Sequence, residues 1–467
     1  MLTRFKGLHP LWGRPLEQYM HHYQVSAAPR SRNGNASRLA AIASAEQIGE
    51  LSACVDGLGT GDIAKSITIV TLEAILKMAE DEHTYQLFLS PGLIGGCITL
   101  MQSMDISGKL PLSYEYGYLC LRVILFALGT YFLQRSQNLK LAKKNMVESH
   151  EIELPLVFSS HVSRTIMKLA RVPIGSQAKE PSQVPGWGAV ESEVALVSPD
   201  RIKVLIELLW KDRVNLLRAM MSTYIPALPG LMFMLTRFLN LDPSLAAKQP
   251  GQNRDLFRMV SEIHHLCTLW GTKEQRDALD MTMCEIAWSY DQTETATSHK
   301  FDLTRVDDSD AQTIFDAYIK RLSLSDVRLY SPINIFSVSI FLGLLALNKG
   351  PELEERLPSV LGLTIEALWK AVLAKEKLDE LFTGSFLTTL LHIETLLSPT
   401  SNKKVDHCVQ EKVLASLAKK DLWLKLVDRA IIQMIKSGHL SEIYSIRSSQ
   451  DIVNTFLKKR FNGASLT

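Results

Sequence analysis

The feature that most constrains this chain is a short segment that occurs twice. Residues 84–94 read TYQLFLSPGLI, and residues 223–232 read TYIPALPGLM, one residue shorter. In both places an apolar helical pattern leads into the segment, Pro-Gly interrupts that pattern, and a second apolar run follows. Two copies of one helix–turn–helix unit predict a chain built by stacking helices.

Helical periodicity dominates the sequence from residue 41 onward. At 198–200, Ser-Pro-Asp supplies an N-cap, a proline at the first helical position and an early acid. One apolar stripe follows at Ile202, Leu205, Ile206, Leu209, Leu216, Leu217 and Met220. The segments 381–397 and 421–438 follow the same pattern, and no stretch alternates with a period of two. The sequence therefore predicts an all-α fold of ~15 helices of ordinary globular length.

Proline and glycine divide the chain into four predicted parts. Residues 1–40 carry six basic side chains and one acid, which predicts a loosely ordered basic arm, with a mitochondrial targeting segment as the alternative. Residues 41–171 form a first helical block. Residues 172–199 contain three well-spaced prolines and a Pro-Gly pair, and form a linker. Residues 200–467 form a second helical block, and whether the two blocks make one continuous array stays open.

Composition favours a folded chain that is not strongly charged. The formal net charge is +2, from 51 Lys and Arg against 49 Asp and Glu. The chain therefore lacks the large excess of positive charge that would attract nucleic acid over a long range. The six cysteines form no C-x-x-C pair, and several lie in apolar helical runs. Such cysteines are typical of reduced, buried thiols, which predicts a cytoplasmic or nuclear protein.

Two apolar runs bear on a membrane location. Residues 333–347 are interrupted by polar side chains, and residues 119–133 contain Arg122. Both runs are shorter than the ~20 residues that a helix needs to cross a bilayer. We therefore predict no transmembrane segment and place both runs in central helices of the core.

The two segments of the opening paragraph resemble armadillo/HEAT-type α-solenoids, whose repeats place a glycine turn before a long apolar helix. Here Gly92 precedes the run 93–101, and Gly230 precedes the run 231–239. The resemblance implies an irregular helical-repeat solenoid that binds a protein along its surface. No fixed repeat length is visible, however, and the asparagine and tryptophan ladders of some armadillo proteins are absent. Binding of extended peptides by such ladders is therefore not implied.

The candidates for chemistry each have a simpler structural explanation. The glycine-rich segment 57–62 lacks the Gly-Lys-Ser/Thr of a phosphate-binding loop, because Ala64 precedes Lys65. Glu80 with His83, and Glu262 with His265, have the i, i+3 spacing of half a di-iron carboxylate site. Such a site also needs two further inward glutamates, and the run 80–82 is typical of a solvated helix end.

No catalytic, cofactor-binding or metal-ligating residue is predicted, and the basic runs 140–144 and 458–460 give no strong nucleic-acid signal. The predicted function is a non-enzymatic scaffold or adaptor that binds a protein partner along a helical surface. The alternative is an all-α enzyme or small-molecule carrier with an internal apolar pocket. An apolar cavity bounded by two or more of Glu80, His83, Glu262 and His265 would favour that alternative.

Overall fold

A computed structural model describes most of the chain as helices. The described residues are 8–23, 36–53, 66–90, 92–149, 154–171, 196–241, 250–293, 308–324, 329–330, 333–347, 351–374, 380–397 and the single positions 426, 429, 430 and 432. These residues form α-helices and three short 3-10 helices and contain no strand beyond isolated bridges. The predicted all-α class is confirmed.

The chain divides into two compact units, Met1–Thr297 and Ser298–Thr467. The helices of the first unit are α1 Leu16–His22, α2 Ala36–Ala53, α3 Ile69–Leu76, α4 Leu93–Ile106, α5 Glu115–Arg135, α6 Leu139–Glu148, α7 Leu154–Ala170, α8 Pro199–Lys211, α9 Arg213–Ser222, α10 Leu228–Leu241, α11 Pro250–Trp270 and α12 Lys273–Thr293. Its 3-10 helices are Lys77–Glu80, Tyr85–Leu89 and Pro111–Ser113.

The second unit has four described helices: α13 Asp308–Ser323, α14 Ile335–Leu347, α15 Pro351–Leu373 and α16 Glu380–Leu397. Helix α14 packs closely on α16, where Gly343 lies against the ring of His392. Helix α13 packs on α15, and the Tyr318 hydroxyl lies 3.0 Å from the Thr364 hydroxyl. The apolar run 333–347 thus forms a largely buried helix, as predicted.

Helix α5 is the centre of the first unit. Its sequence is apolar on every side, and 17 of its 21 residues are buried. It packs against α3, α4, α6, α7 and α10. Among the described residues, α5 is the one helix long and apolar enough to cross a membrane, and 89% of its apolar window is buried inside the protein. That burial indicates a core helix, as the sequence predicted.

The two Thr-Tyr segments fold differently. In the first, Gly92 has a φ of 79° and precedes α4, as predicted. In the second, Gly230 lies inside α10, and the residue with positive φ is Ala227, at 53°. The expected glycine turn before residue 231 is therefore wrong. Pro229 is tolerated there because it lies in the first turn of α10, where backbone N–H groups have no acceptor within the helix.

The segment 8–23, which composition placed in a loosely ordered arm, packs on the start of α5. The side chain of Tyr19 is buried, its ring stacks on Tyr118 at 4.8 Å, and its hydroxyl donates to Leu112 O at 2.6 Å. The guanidinium of Arg14 lies 3.3 Å from the buried carboxylate of Glu115. Aromatic burial and a partly buried ion pair hold this segment, and its basic composition did not indicate either contact.

Helices on both sides of the predicted linker 172–199 pack together inside the first unit. Helix α4 contacts α8, α5 contacts α10, and α7 contacts α12. The division between the two units lies further along the chain, between Thr297 and Ser298. Residues 172–195 and the glycine-rich segment 57–62 lie outside the described residues. In the segment 421–438, the described positions are helical, and Leu426 and Ala430 are buried.

Candidate functional site

The connection between α8 and α9 is a tight corner built on one buried carboxylate. Helix α8 ends at Lys211, α9 begins at Arg213, and Asp212 between them is buried. The Asp212 carboxylate accepts hydrogen bonds from the Leu112 N–H at 2.5 Å and from the Asn215 side-chain amide at 2.7 Å. Burial raises the pKa of Asp212 to about 7, against the lowering effect of these two donors.

Neighbouring contacts fix this corner to the N-terminal segment and to α4. Lys211 pairs with Asp105 at the end of α4. Arg218 on α9 donates to Glu17 on α1 at 2.9 Å. Because these ties surround the short connection on several sides, the corner is held by tertiary contacts and not only by its two helices.

Beside this corner lies a tryptophan whose ring has two arginines near it. The indole N–H of Trp210 donates to the Glu262 carboxylate at 2.7 Å. The guanidinium carbon of Arg213 lies 4.5 Å from the centre of the Trp210 ring, and that of Arg258 lies 5.5 Å from it. Arg213 also donates to Trp210 O at 2.9 Å. We call these four residues, Trp210, Arg213, Arg258 and Glu262, the Trp210 cluster.

The Trp210 cluster is partly open to solvent. The side chain of Arg213 is 11% exposed, that of Glu262 is 22% exposed, and that of Arg258 is 37% exposed. Cation–π contacts and a charge-assisted hydrogen bond fix the indole in one orientation. Tryptophan and arginine are the residues most enriched among the side chains that dominate protein–protein binding energy. None of the four side chains of the cluster is a nucleophile with an adjacent base.

The four residues that would bound the pocket of an all-α enzyme or carrier occupy separate environments. Glu80 and His83 are exposed near the Lys77–Glu80 3-10 helix. Glu262 binds Trp210, as described above. His265 is buried, and burial lowers its pKa to about 4. Their described contacts do not bring these side chains together around one metal pair or one polar pocket.

The adjacent His264 is a neutral core histidine. The Thr282 hydroxyl donates to Leu279 O at 2.9 Å, so it accepts from the His264 Nε2–H at 2.7 Å. The Nδ1 atom, 3.2 Å from the Thr268 hydroxyl, is then the acceptor. Burial lowers the pKa of His264 to about 3, which agrees with this neutral form. Both ring nitrogens have partners in the core, so His264 is not poised as a metal ligand.

One group in the described part of the chain has metal-ligand spacing: the ligand atoms of Asp81, Glu82 and His83 lie within 4.8 Å of one another. The backbone N–H of His83 donates to the Asp81 carboxylate at 2.9 Å, which is a local turn contact. Exposed acidic groups of this kind are common without a metal. We assign no metal site to them.

Comparison with known proteins gives no relative: no family model, curated protein or solved structure matches the chain. The functional conclusion therefore depends on the chemistry of the chain's own residues.

Sequence reasoning did not find the Trp210 cluster. The i, i+3 spacing of Trp210 and Arg213, and the i, i+4 spacing of Arg258 and Glu262, were visible as two local pairs. Nothing local joins the pairs, because 52 residues separate Trp210 from Glu262. The contact arises only from the packing of α8 and α9 on α11.

Proposed function

We propose that the protein is a non-enzymatic scaffold or adaptor that binds a protein partner, and that the Trp210 cluster is a main contact point on its surface. The observation that carries the proposal is a fixed, partly exposed tryptophan with two arginines near its ring. Fixing these side chains before binding lowers the entropy lost on association, so the cluster is suited to a contact that dominates affinity.

The proposal includes an irregular, armadillo/HEAT-like stacking of helices. It is supported by the packing of helices that follow each other in the chain, α4 on α5, α6 on α7 and α11 on α12. A cytoplasmic or nuclear location is also proposed. It is supported by the buried free thiols of Cys97, Cys120 and Cys267.

The test compares partner capture by the intact protein and by variants of the cluster. Trp210→Ala removes the ring, and Arg258→Glu reverses one flanking charge. Lys273→Glu is the matched control, because Lys273 is exposed at the start of α12 and undergoes the same charge change. Each tagged variant is purified from native cells, checked by circular dichroism and analysed by quantitative mass spectrometry.

We expect the intact protein and the Lys273→Glu control to retain the same stoichiometric protein, and both cluster variants to lose it at least tenfold while keeping their helical spectrum. A single large contact of this kind is worth about 2 kcal/mol or more, which corresponds to that loss. Equal retention by all variants would refute the role of the cluster. A co-purified small molecule or metal without any stoichiometric protein would instead favour the carrier or enzyme.

A further inference from the structure

Positive charge is concentrated on the hairpin formed by α6 and α7. Between residues 139 and 171 there are six Lys and Arg and three Glu, a net charge of +3, although the whole chain carries only +2. The exposed basic side chains on the outer side of these helices are Lys140, Lys144, Arg164, Lys168 and Arg171. We call these five residues, together with Leu141 and Val147, the basic face.

Aliphatic side chains lie among the lysines of α6. The helix buries Leu139, Ala142 and Met146 on its inner side. Its outer side presents Leu141, Lys144 and Val147 at a spacing of three residues, which places them within one arc of the helix surface. Leu141 is 52% exposed and Val147 is 41% exposed.

The basic face is formed by two helices that are fixed to each other. The Asn138 side-chain amide donates to the Thr165 hydroxyl at 3.1 Å, and the Asn145 amide lies 3.0 Å from the His161 ring nitrogen. The described acid on the outer side of α6, Glu148, lies 3.8 Å from Lys144, and both side chains are largely exposed. An exposed ion pair of this kind contributes little and leaves the lysine available.

From this arrangement we propose that the basic face docks the protein on an anionic lipid surface. Lysine and arginine side chains are attracted by acidic headgroups, and aliphatic side chains beside them enter the boundary between headgroups and acyl chains. Nucleic acid fits less well, because phosphates gain nothing from Leu141 and Val147 and no exposed aromatic side chain lies among the five cations to stack on bases. This inference goes beyond the proposed scaffold function and does not depend on the Trp210 cluster.

The test is co-sedimentation of the full chain with phosphatidylcholine vesicles, with and without phosphatidylserine. We expect binding to the phosphatidylserine vesicles alone, and weaker binding as salt rises towards ~0.15 M, where charges are screened beyond about 8 Å. The triple substitution Lys140→Gln, Lys144→Gln and Lys168→Gln should weaken this binding by about 100-fold, since each basic residue near the membrane contributes about fivefold.

The matched control carries Lys109→Gln, Lys273→Gln and Lys370→Gln, which remove the same charge from exposed positions elsewhere. It should bind the vesicles like the intact protein. A second variant, Leu141→Ser with Val147→Ser, keeps every charge and should weaken vesicle binding by about tenfold. The same variant should bind polyglutamate as the intact protein does, because that polymer recognises charge alone.

Three results would overturn the proposal: no binding to phosphatidylserine vesicles at low salt, equal binding to both kinds of vesicle, or equal loss in the two triple variants. Tighter binding to double-stranded DNA or to polyglutamate than to the vesicles would also overturn it, because it would assign the face to a different anionic partner.

Discussion

A buried glutamine joins helices from both sides of residues 172–195, and its removal should weaken the first unit. Gln275 on α12 is 2% exposed. Its amide donates to Ser159 Oγ on α7 at 3.1 Å and to Ile225 O at 2.8 Å, and its carbonyl accepts from the Thr272 N–H at 3.1 Å. Ser159 Oγ also accepts from the Ala227 N–H at 3.0 Å. The substitution Gln275→Leu keeps the approximate size and removes all three hydrogen bonds of the amide.

The expected cost follows from the groups left without partners. The Thr272 N–H and the Ile225 carbonyl would each lose a buried hydrogen bond, at about 1–3 kcal/mol per group. The sum, about 2–6 kcal/mol, is a large share of the ~5–15 kcal/mol that stabilises a folded domain. For a unit of this size we expect the melting temperature to fall by roughly 5–15 °C.

The assay combines thermal unfolding, followed by circular dichroism, with hydrogen exchange. Exchange should rise locally in the peptides that cover Ile225 and Ser159, which separates a local effect from a general one. The control is Gln134→Leu, the same substitution at an exposed position. If Gln275→Leu lowers the melting temperature no more than the control, or if exchange near Ile225 is unchanged, the network does not hold these helices together.

Two further predictions concern titration and packing. Because burial lowers the pKa of His264 to about 3 and that of His265 to about 4, the unfolded state binds more protons below about pH 6.5, and stability is lost as pH falls from 6.5 towards 4. The loss at pH 5 is about 2 kcal/mol per histidine, and a urea midpoint that does not fall between pH 7 and pH 5 would contradict it. Gly117→Ala should lower the melting temperature of the first unit, because its Cβ would meet Pro111 O at 2.1 Å. Gly384 lies in the second turn of α16, and an added Cβ there would meet nothing within 4 Å, so Gly384→Ala should stabilise the helix by about 0.5–1 kcal/mol. Equal effects of the two substitutions would refute this packing.

Features determined by neighbouring residues were predictable from the sequence. Helix α8 begins at Pro199 after an extended Ser198, as the Ser-Pro-Asp sequence indicates, although the Ser198 side chain makes no capping hydrogen bond. Helix α16 covers the predicted segment 381–397 and begins one residue earlier. A helix start depends on a few adjacent dihedral angles and donors, so local sequence is sufficient to predict it.

Features determined by distant residues were not predictable. Trp210 with Glu262 and Asp212 with Leu112 are pairs separated by 52 and 100 residues. The first pair depends on the packing of α8 on α11, and the second on the packing of α9 on the Pro111–Ser113 3-10 helix. Many packings would bury the same apolar stripes. A single sequence therefore shows which faces are apolar, but it does not show which polar side chains meet between them.

The two Thr-Tyr segments show how sequence similarity and structural equivalence can differ. Tyr85 of the first segment packs on Phe158 of α7, with ring centres 4.8 Å apart. In the second segment, the Ala227 N–H donates to Ser159, the next residue of the same helix. Equivalent repeats of a stacked array contact their own neighbours, whereas these two segments meet on one helix. The two segments are therefore two chain turns that contact the same helix, α7. Support for helix stacking comes instead from the consecutive pairs α4–α5, α6–α7 and α11–α12.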